Sequence, residues 1–300
     1  MLSNLPPNLP DSPDLPSDLP LQPQIPPAQA AQSWQGCLRL AFEPRSDRTL
    51  LSQVQVQAPL KVQRPFYPEG DVCHTVMLHT AGGIVGGDRL EITARLQPQA
   101  QVLLTTAAAT KVYRSNGLEA QQTTDLRLAA GACLEWLPQE TILFNGAQFR
   151  QKLRVDLAAD ATWLGWEITR LGRSARGERF ETGHWRSQIE VWQDQRLVWV
   201  DPQWVEGGGE MLTSLHGLAG AVVVGSFALI GPSLMVQPAH CLDMARDLLP
   251  TPAFSVTQLQ TGLLCRYRGD STAAARRGFT AVWQALRSNW GRGHCIPRVW

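Results

Sequence analysis

Along most of this chain apolar and polar residues alternate one for one. Leu90, Ile92, Ala94 and Leu96 are separated by single polar residues, and Phe149, Gln151, Leu153, Val155 and Leu157 share one parity. Shorter runs do the same: Val54-Gln-Val56-Gln, Leu126-Arg-Leu128, Ile189-Glu-Val191 and Leu197-Val-Trp199. Successive side chains of an extended strand point to opposite faces, so a period of two predicts half-buried strands. Turn-forming residues fall between these runs, at Pro98, Asn116-Gly117, Gly131, Asn145-Gly146, Asp194 and Gly207-Gly208-Gly209. The expected architecture is mainly β. Strand spacing fits a sandwich and a solenoid equally.

Two windows have the helical period instead. One starts near Pro238, with Leu242, Ala245 and Leu248/Leu249 on one side. The other opens at Asp270-Ser271-Thr272, whose side chains can cap a helix. It then places Ala275, Phe279, Val282, Trp283 and Leu286 on one stripe, as expected of a helix packed on a sheet. Its arginines, Arg276, Arg277 and Arg287, are expected on the solvated side. Leu218 to Met235 is nearly all apolar and about as long as the shortest membrane span. Gly220, Gly225, Gly231, Pro232 and the β-branched Val222-Val223-Val224 favour a buried strand pair there. Residues 1–33 repeat Leu-Pro, Asp and Gln; proline locks φ and removes donors, which predicts a disordered, Pro-rich tail ahead of a single β-rich domain over 34–300.

Composition narrows the function classes. The chain has 300 residues, 44% of them hydrophobic, enough for a full core, and a net charge of +1. No basic field points to nucleic acid or to an anionic membrane. The cysteines (Cys37, Cys73, Cys133, Cys241, Cys265, Cys295) form no Cys-x-x-Cys pair, which argues against structural zinc and a disulfide framework. The N-terminus has no basic, apolar leader pattern, so a cytoplasmic protein is expected.

The densest local signal is His79-Thr-Ala-Gly-Gly-Ile-Val-Gly-Gly-Asp88. Two glycine pairs, Gly82-Gly83 and Gly86-Gly87, predict a tightly shaped turn. Gly82 and Gly87 have the spacing of a phosphate loop, but Asp88 and Arg89 stand where that motif needs Lys and Ser/Thr. A carboxylate there repels phosphate, and no dinucleotide fingerprint can be read either. No Gly-x-Ser-x-Gly elbow occurs. Cys73 and His79, six apart on one strand, would share a face at about 20 Å, too far for one metal. Core histidine and buried free cysteine are the readings that follow for Cys73, His74, His79 and His294-Cys295.

Carboxylates are more suggestive. Glu140 lies between Leu137-Pro138-Gln139 and Ile142-Leu143-Phe144, and Glu167 stands inside Trp163-Leu-Gly-Trp-Glu-Ile-Thr-Arg-Leu171. Glu178 follows Gly172-Arg-Ser-Ala-Arg-Gly177. An acid in an apolar run is costly to bury unless it is paired, hydrated or bound to a cation. Internal salt bridges to Arg170, Arg173 and Arg176 are the plain alternative.

Four stretches then carry a resemblance. His79–Asp88, Leu104-Thr-Thr-Ala-Ala-Ala-Thr-Lys-Val-Tyr-Arg114, Leu137-Pro-Gln-Glu-Thr-Ile-Leu-Phe144 and Gly172-Arg-Ser-Ala-Arg-Gly-Glu178 resemble the urease accessory protein D family (UreD, also UreH), as does the ending Pro297-Arg-Val-Trp300. The likeness runs from about Trp34 to Trp300; Thr80-Ala81 departs from the family's prolines before the glycines. It implies β-helix-like stacked sheets with two α-helices packed near the C-terminal third, and no catalysis by this chain. It also implies partners: accessory protein F (UreF), the GTPase accessory protein G (UreG) and urease apoprotein, with no nucleic acid and no membrane. Nickel would pass through the D protein to urease, bound transiently and not kept.

That role has physical requirements. Ni²⁺ stands near the top of the affinity order, so a thiolate-rich cage would trap it. A conduit needs stations favourable enough to enter and weak enough to leave. Scattered carboxylates, water and carbonyls suit this, which makes Asp88, Glu140, Glu167 and Glu178 the candidate nickel path. The resemblance supports Asp88, Glu140 and Glu178 through their motifs; Glu167 rests on its apolar strand. Two alternatives stay open: a β-rich protein-binding module without a metal role, and a hydrolase using a carboxylate pair at a fixed separation.

Overall fold

The computed structural model describes residues 33–300 except 174, 176, 233–237 and 294. The readings made for the Pro-rich stretch, Arg176 and His294 lie outside the described residues.

The chain winds between two sheets. One contains β1 (Gln35–Arg45), β2 (Arg48–Gln57), β5 (Arg89–Leu96), β8 (Ala120–Leu128), β11 (Gln148–Leu157), β13 (His184–Gln193) and β14 (Arg196–Glu206). The other contains β3 (Leu60–Val62), β4 (Cys73–His79), β6 (Gln101–Thr106), β7 (Thr110–Val112), β9 (Cys133–Leu137), β10 (Thr141–Leu143), β12 (Thr162–Leu171), β15 (Val223–Ile230), β16 (Phe254–Leu259) and β17 (Gly262–Gly269). From β4 to β13 each coil leaves one sheet, adds a strand to the other and returns. Successive returns run in the same direction, so β1, β5, β8, β11 and β13 pair in parallel, as do β4, β6, β9 and β12. This is the stacked, solenoid-like arrangement, with antiparallel strands at its ends.

The alternation read along the chain is what faces the two sheets together. Leu90, Ile92, Ala94 and Leu96 point inward from β5, and Phe149, Val155 and Leu157 from β11, into a core that also holds Trp163 and Trp185. A second core lies on the outer side of the larger sheet, under α1 (Pro238–Leu248) and α2 (Thr272–Asn289). Ser271 caps α2 by accepting from the Ala274 amide at 3.1 Å, and Ala275, Phe279, Val282, Trp283 and Leu286 are fully buried.

Four expectations are corrected. Val54 and Val56 alternate but are both about half exposed, because β2 is an edge strand with no sheet packed on that stretch. In β14 a bulge between Val191 and Trp192 of its partner shifts the register, so Trp199 is buried while Leu197 is exposed. Among its described residues, the apolar run beginning at Leu218 yields one strand, β15, not a pair. It is buried along its whole length because β12 and β17 flank it and cores cover both faces. No helix among the described residues is long and apolar enough to cross a membrane. Finally, Arg287 is not solvated: it is wholly buried and ion-paired.

Candidate functional site

The glycine loop is built as its sequence predicts. Gly82 and Gly87 have φ of +75° and +91°, where a side chain is strained. Gly83 serves close approach instead: a Cβ there would stand 2.4 Å from the Tyr113 ring and 2.8 Å from the Lys111 carbonyl. The Ile84 amide donates to Lys111 O at 2.8 Å and the Tyr113 amide to Ile84 O at 2.9 Å, pinning the loop to β7. Asp88 closes it from within. Its Oδ1 accepts from the Trp34 amide at 2.8 Å and its Oδ2 from the Val85 amide at 2.9 Å, and the side chain is fully buried. Both oxygens hold backbone.

Beside this loop, between the sheets, lies a cavity of about 500 Å³. Its polar lining includes Gln122, Thr124, Gln151 and Ser187 from the smaller sheet, with His79 and Glu167 from the larger. The larger sheet is interrupted at the same level. β9 pairs with β12 only over Thr162–Gly165, and β10 pairs with it only from Thr169 onward. Likewise β6 and β9 part after Thr105 and Leu137, and β7 and β10 begin at Thr110 and Thr141. Residues 107–109 and 138–140 therefore bulge around a gap facing Trp166, Glu167 and Ile168. Side chains brace the frame: Trp166 Nε1 donates to Pro138 O at 2.8 Å and Thr106 Oγ1 accepts from the Gln139 amide at 2.9 Å. Two of the motifs that carry the resemblance, around Ala107–Thr110 and Pro138–Thr141, build this gap.

Glu167 is the acid that faces the cavity. Protein surrounds it, and its accessible surface is turned to the cavity lumen. Oε2 accepts from Ser187 Oγ at 2.8 Å, whereas Oε1 is shielded and has no partner. Burial pushes its carboxyl up to about 7; the Ser187 hydroxyl and Arg266 pull it down, and Asp201 adds to the rise. The other three acids do not line the cavity. Asp88 holds the loop. Glu140 Oε2 pairs with Arg276 at 3.2 Å, next to Gln139, which does line it. Glu178 accepts from Arg173 Nε at 2.8 Å and from the Asn145 amide at 2.8 Å, tying its glycine-flanked turn to Asn145-Gly146. Arg173 holds the Glu178 carboxyl below the usual carboxylate range.

A second charged cluster lies outside the cavity, under α2. Arg287 donates to Glu135 at 2.9 Å and to Glu69, and Glu69 Oε1 lies 2.6 Å from His74 Nε2. Glu69, His74 and Cys295 offer atoms within 4.8 Å of one another, a spacing that a metal ion could use. The Arg287 guanidinium already supplies the positive charge there, so the cluster reads as an internal ion-pair network. Its signal lay in the helical wheel. At about 100° per residue Arg287 falls about 40° beyond Trp283, on the border of the apolar stripe and not opposite it. Arg276 borders the same flank and pairs with Glu140, whereas Arg277 is exposed.

Known proteins with this sequence pattern converge on one group. The profile described as UreD urease accessory protein matches residues 35–300. A protein of a Nostoc species named urease accessory protein UreD is 57% identical over 272 residues, covering 90% of this chain and 96% of its own. Proteins of that name from Nostoc punctiforme and Trichormus variabilis are each 55% identical over 276 residues, covering 91% of this chain and 98% of theirs.

Proposed function

The chain belongs to the UreD family of urease accessory proteins, and on that premise we propose that it acts in urease maturation as a non-catalytic conduit for nickel. Its cargo, Ni²⁺, passes through the cavity between the sheets. The observation that carries this reading is the cavity itself: partly open, with polar side chains set in a largely apolar wall, beside a gap in the larger sheet, and with Glu167, whose Oε1 has no partner, among its lining residues. Glu167 is the charged station. Glu140, locked to Arg276 beside lining residue Gln139, frames the gap, while Asp88 and Glu178 hold the two turns in shape. Oxygen donors suit a cargo that must leave again, because carboxylate and water hold Ni²⁺ less tightly than thiolate would. The buried cysteines Cys133 and Cys265, whose thiols burial pushes up to about 12, keep their protons and do not compete.

In this reading the chain works in the cytoplasm. It joins UreF and the GTPase UreG, which carries the GTP chemistry that the glycine loop here does not support, and the assembly docks on urease apoprotein. The test is nickel per urease active site in cells carrying urease and the other accessory proteins. The double variant Glu140→Gln, Glu167→Gln should lower loading several-fold while the complex with UreF and UreG still assembles. Normal loading with an intact complex would overturn the conduit and leave a β-rich binding module.

A further inference from the structure

We propose that His79 is the nitrogen donor that lets this cavity discriminate Ni²⁺ from harder divalent ions. The inference rests on the conduit reading and adds to it a residue that the acids alone do not suggest. Strand parity places the side chain. Cys73 and Thr75 contact each other along β4, Cys73 and Met77 belong to the core between the sheets, and His79 continues that face at the strand end. There it lines the cavity beside the glycine loop. Its neighbour of opposite parity, His74, points to the other core and meets Glu69.

Both ring nitrogens of His79, Nδ1 and Nε2, are shielded from bulk solvent and have no hydrogen-bond partner in the protein. A neutral imidazole carries one donor and one acceptor, and leaving such groups unpaired in a protein interior is costly. Most buried histidines are fixed by a carbonyl or carboxylate of another residue; neither nitrogen of this ring has such a partner, and the residue forms part of the cavity wall. Burial lowers its pKa, against weaker upward pulls from Asp88 and from its own backbone, which favours the neutral ring that can coordinate. Asp88 is close enough to be felt, which offsets part of the cost of a cation beside the ring.

The chemistry then separates metals. Imidazole suits Ni²⁺, while Mg²⁺ prefers oxygen, keeps its waters and dehydrates reluctantly. Mn²⁺ lies at the weak end of the same affinity order. A passage lined only by carboxylate, hydroxyl and amide oxygens would pass all three with little distinction. One nitrogen tilts the preference without building a trap.

The experiment measures nickel per urease active site in the reconstituted system, with full-length chain and the other accessory proteins, at limiting Ni²⁺ and with or without a large excess of Mg²⁺ or Mn²⁺. Wild type should load almost equally in both conditions. His79→Phe, which keeps the ring volume, and His79→Gln, which keeps a polar tip, should each lose several-fold more loading under competition than without it. X-ray absorption of the wild-type chain titrated with one equivalent of Ni²⁺ should show an imidazole contribution that both variants reduce. Equal sensitivity to competing ions in wild type and both variants, or a nickel spectrum unchanged by them, would overturn the assignment. The Glu140→Gln, Glu167→Gln double variant runs alongside. If it loses loading while the His79 variants discriminate like wild type, only the role of His79 fails; if it too loads normally, the conduit has failed.

Discussion

Replacing Glu167 by Gln should stabilise the folded protein while impairing the function proposed for it. The carboxyl moves from an ordinary 4.5 to about 7 on folding, chiefly through burial. The folded state thus holds a proton over a pH range in which the unfolded chain has released it. Stability falls as pH rises between those two values and levels off above the higher one. From the linkage relation, burying Glu167 costs roughly 1 kcal/mol at about pH 5.5 and roughly 3 kcal/mol at about pH 8.5. Cavity water reduces both figures, so they are upper bounds. Gln keeps the shape and a hydrogen bond to Ser187 but has no charge to desolvate. Urea unfolding of the two proteins at these pH values should show the variant more stable, with a gap wider at the alkaline pH by up to about 2 kcal/mol. A gap that is absent, or independent of pH, would refute the claim that Glu167 is buried as an acid without a full set of partners. A site retained at a cost in stability is what a functional role predicts.

Other substitutions test the frame around the cavity. Arg287→Ala leaves the largely buried Glu69 without its arginine and Glu135 with only the more distant Arg292, and should cost about 3–5 kcal/mol, whereas the exposed Arg277→Ala should stay within about 0.5 kcal/mol; similar urea midpoints for the two would contradict the buried network. Ser271→Ala removes the cap of α2 and should cost about 1 kcal/mol, read from the thermal midpoint; no change would mean that the Ala274 amide finds another acceptor. Glu178→Gln tests the opposite sign to Glu167. Arg173 depresses the Glu178 carboxyl, so its stabilisation is present above the ordinary 4.5 and disappears as pH falls through the lower folded value. Wild type should exceed the variant near neutrality, and the two should converge in acid; a constant difference would mean that the ion pair is not its source.

Much of this protein was legible before any coordinates. The period of two located β5, β8, β11 and β13, because a strand with one face on a core must alternate. The same logic at the helical period found the buried stripe of α2 and its Ser271 cap. Glycine doublets announced a shaped turn and Asp88 its closure, since the need for φ > 0 and for close approach is written in the absence of a side chain. The motifs were legible as markers of a family, and the profile over residues 35–300 agrees.

Other features depend on which segments meet. The solenoid could not be told from a sandwich because pairing order is a long-range property, decided by where each coil lands and not by its local period. The gap in the larger sheet exists only because two neighbouring ladders break at one level, β6–β9 after the pair Thr105 and Leu137 and β9–β12 after the pair Trp136 and Gly165. Whether an acid is a pairing group or a cavity wall turned on its tertiary neighbours: Arg276 reached Glu140 across 136 residues, whereas nothing reached the Oε1 of Glu167. Arg287, expected in solvent, was drawn inside because Glu69 from the turn before β4 and Glu135 from β9 converge on it, and only paired charge can be buried at tolerable cost. Local residue pattern determined the elements and their faces; tertiary packing decided which polar groups would be satisfied by partners and which would be left facing a cavity.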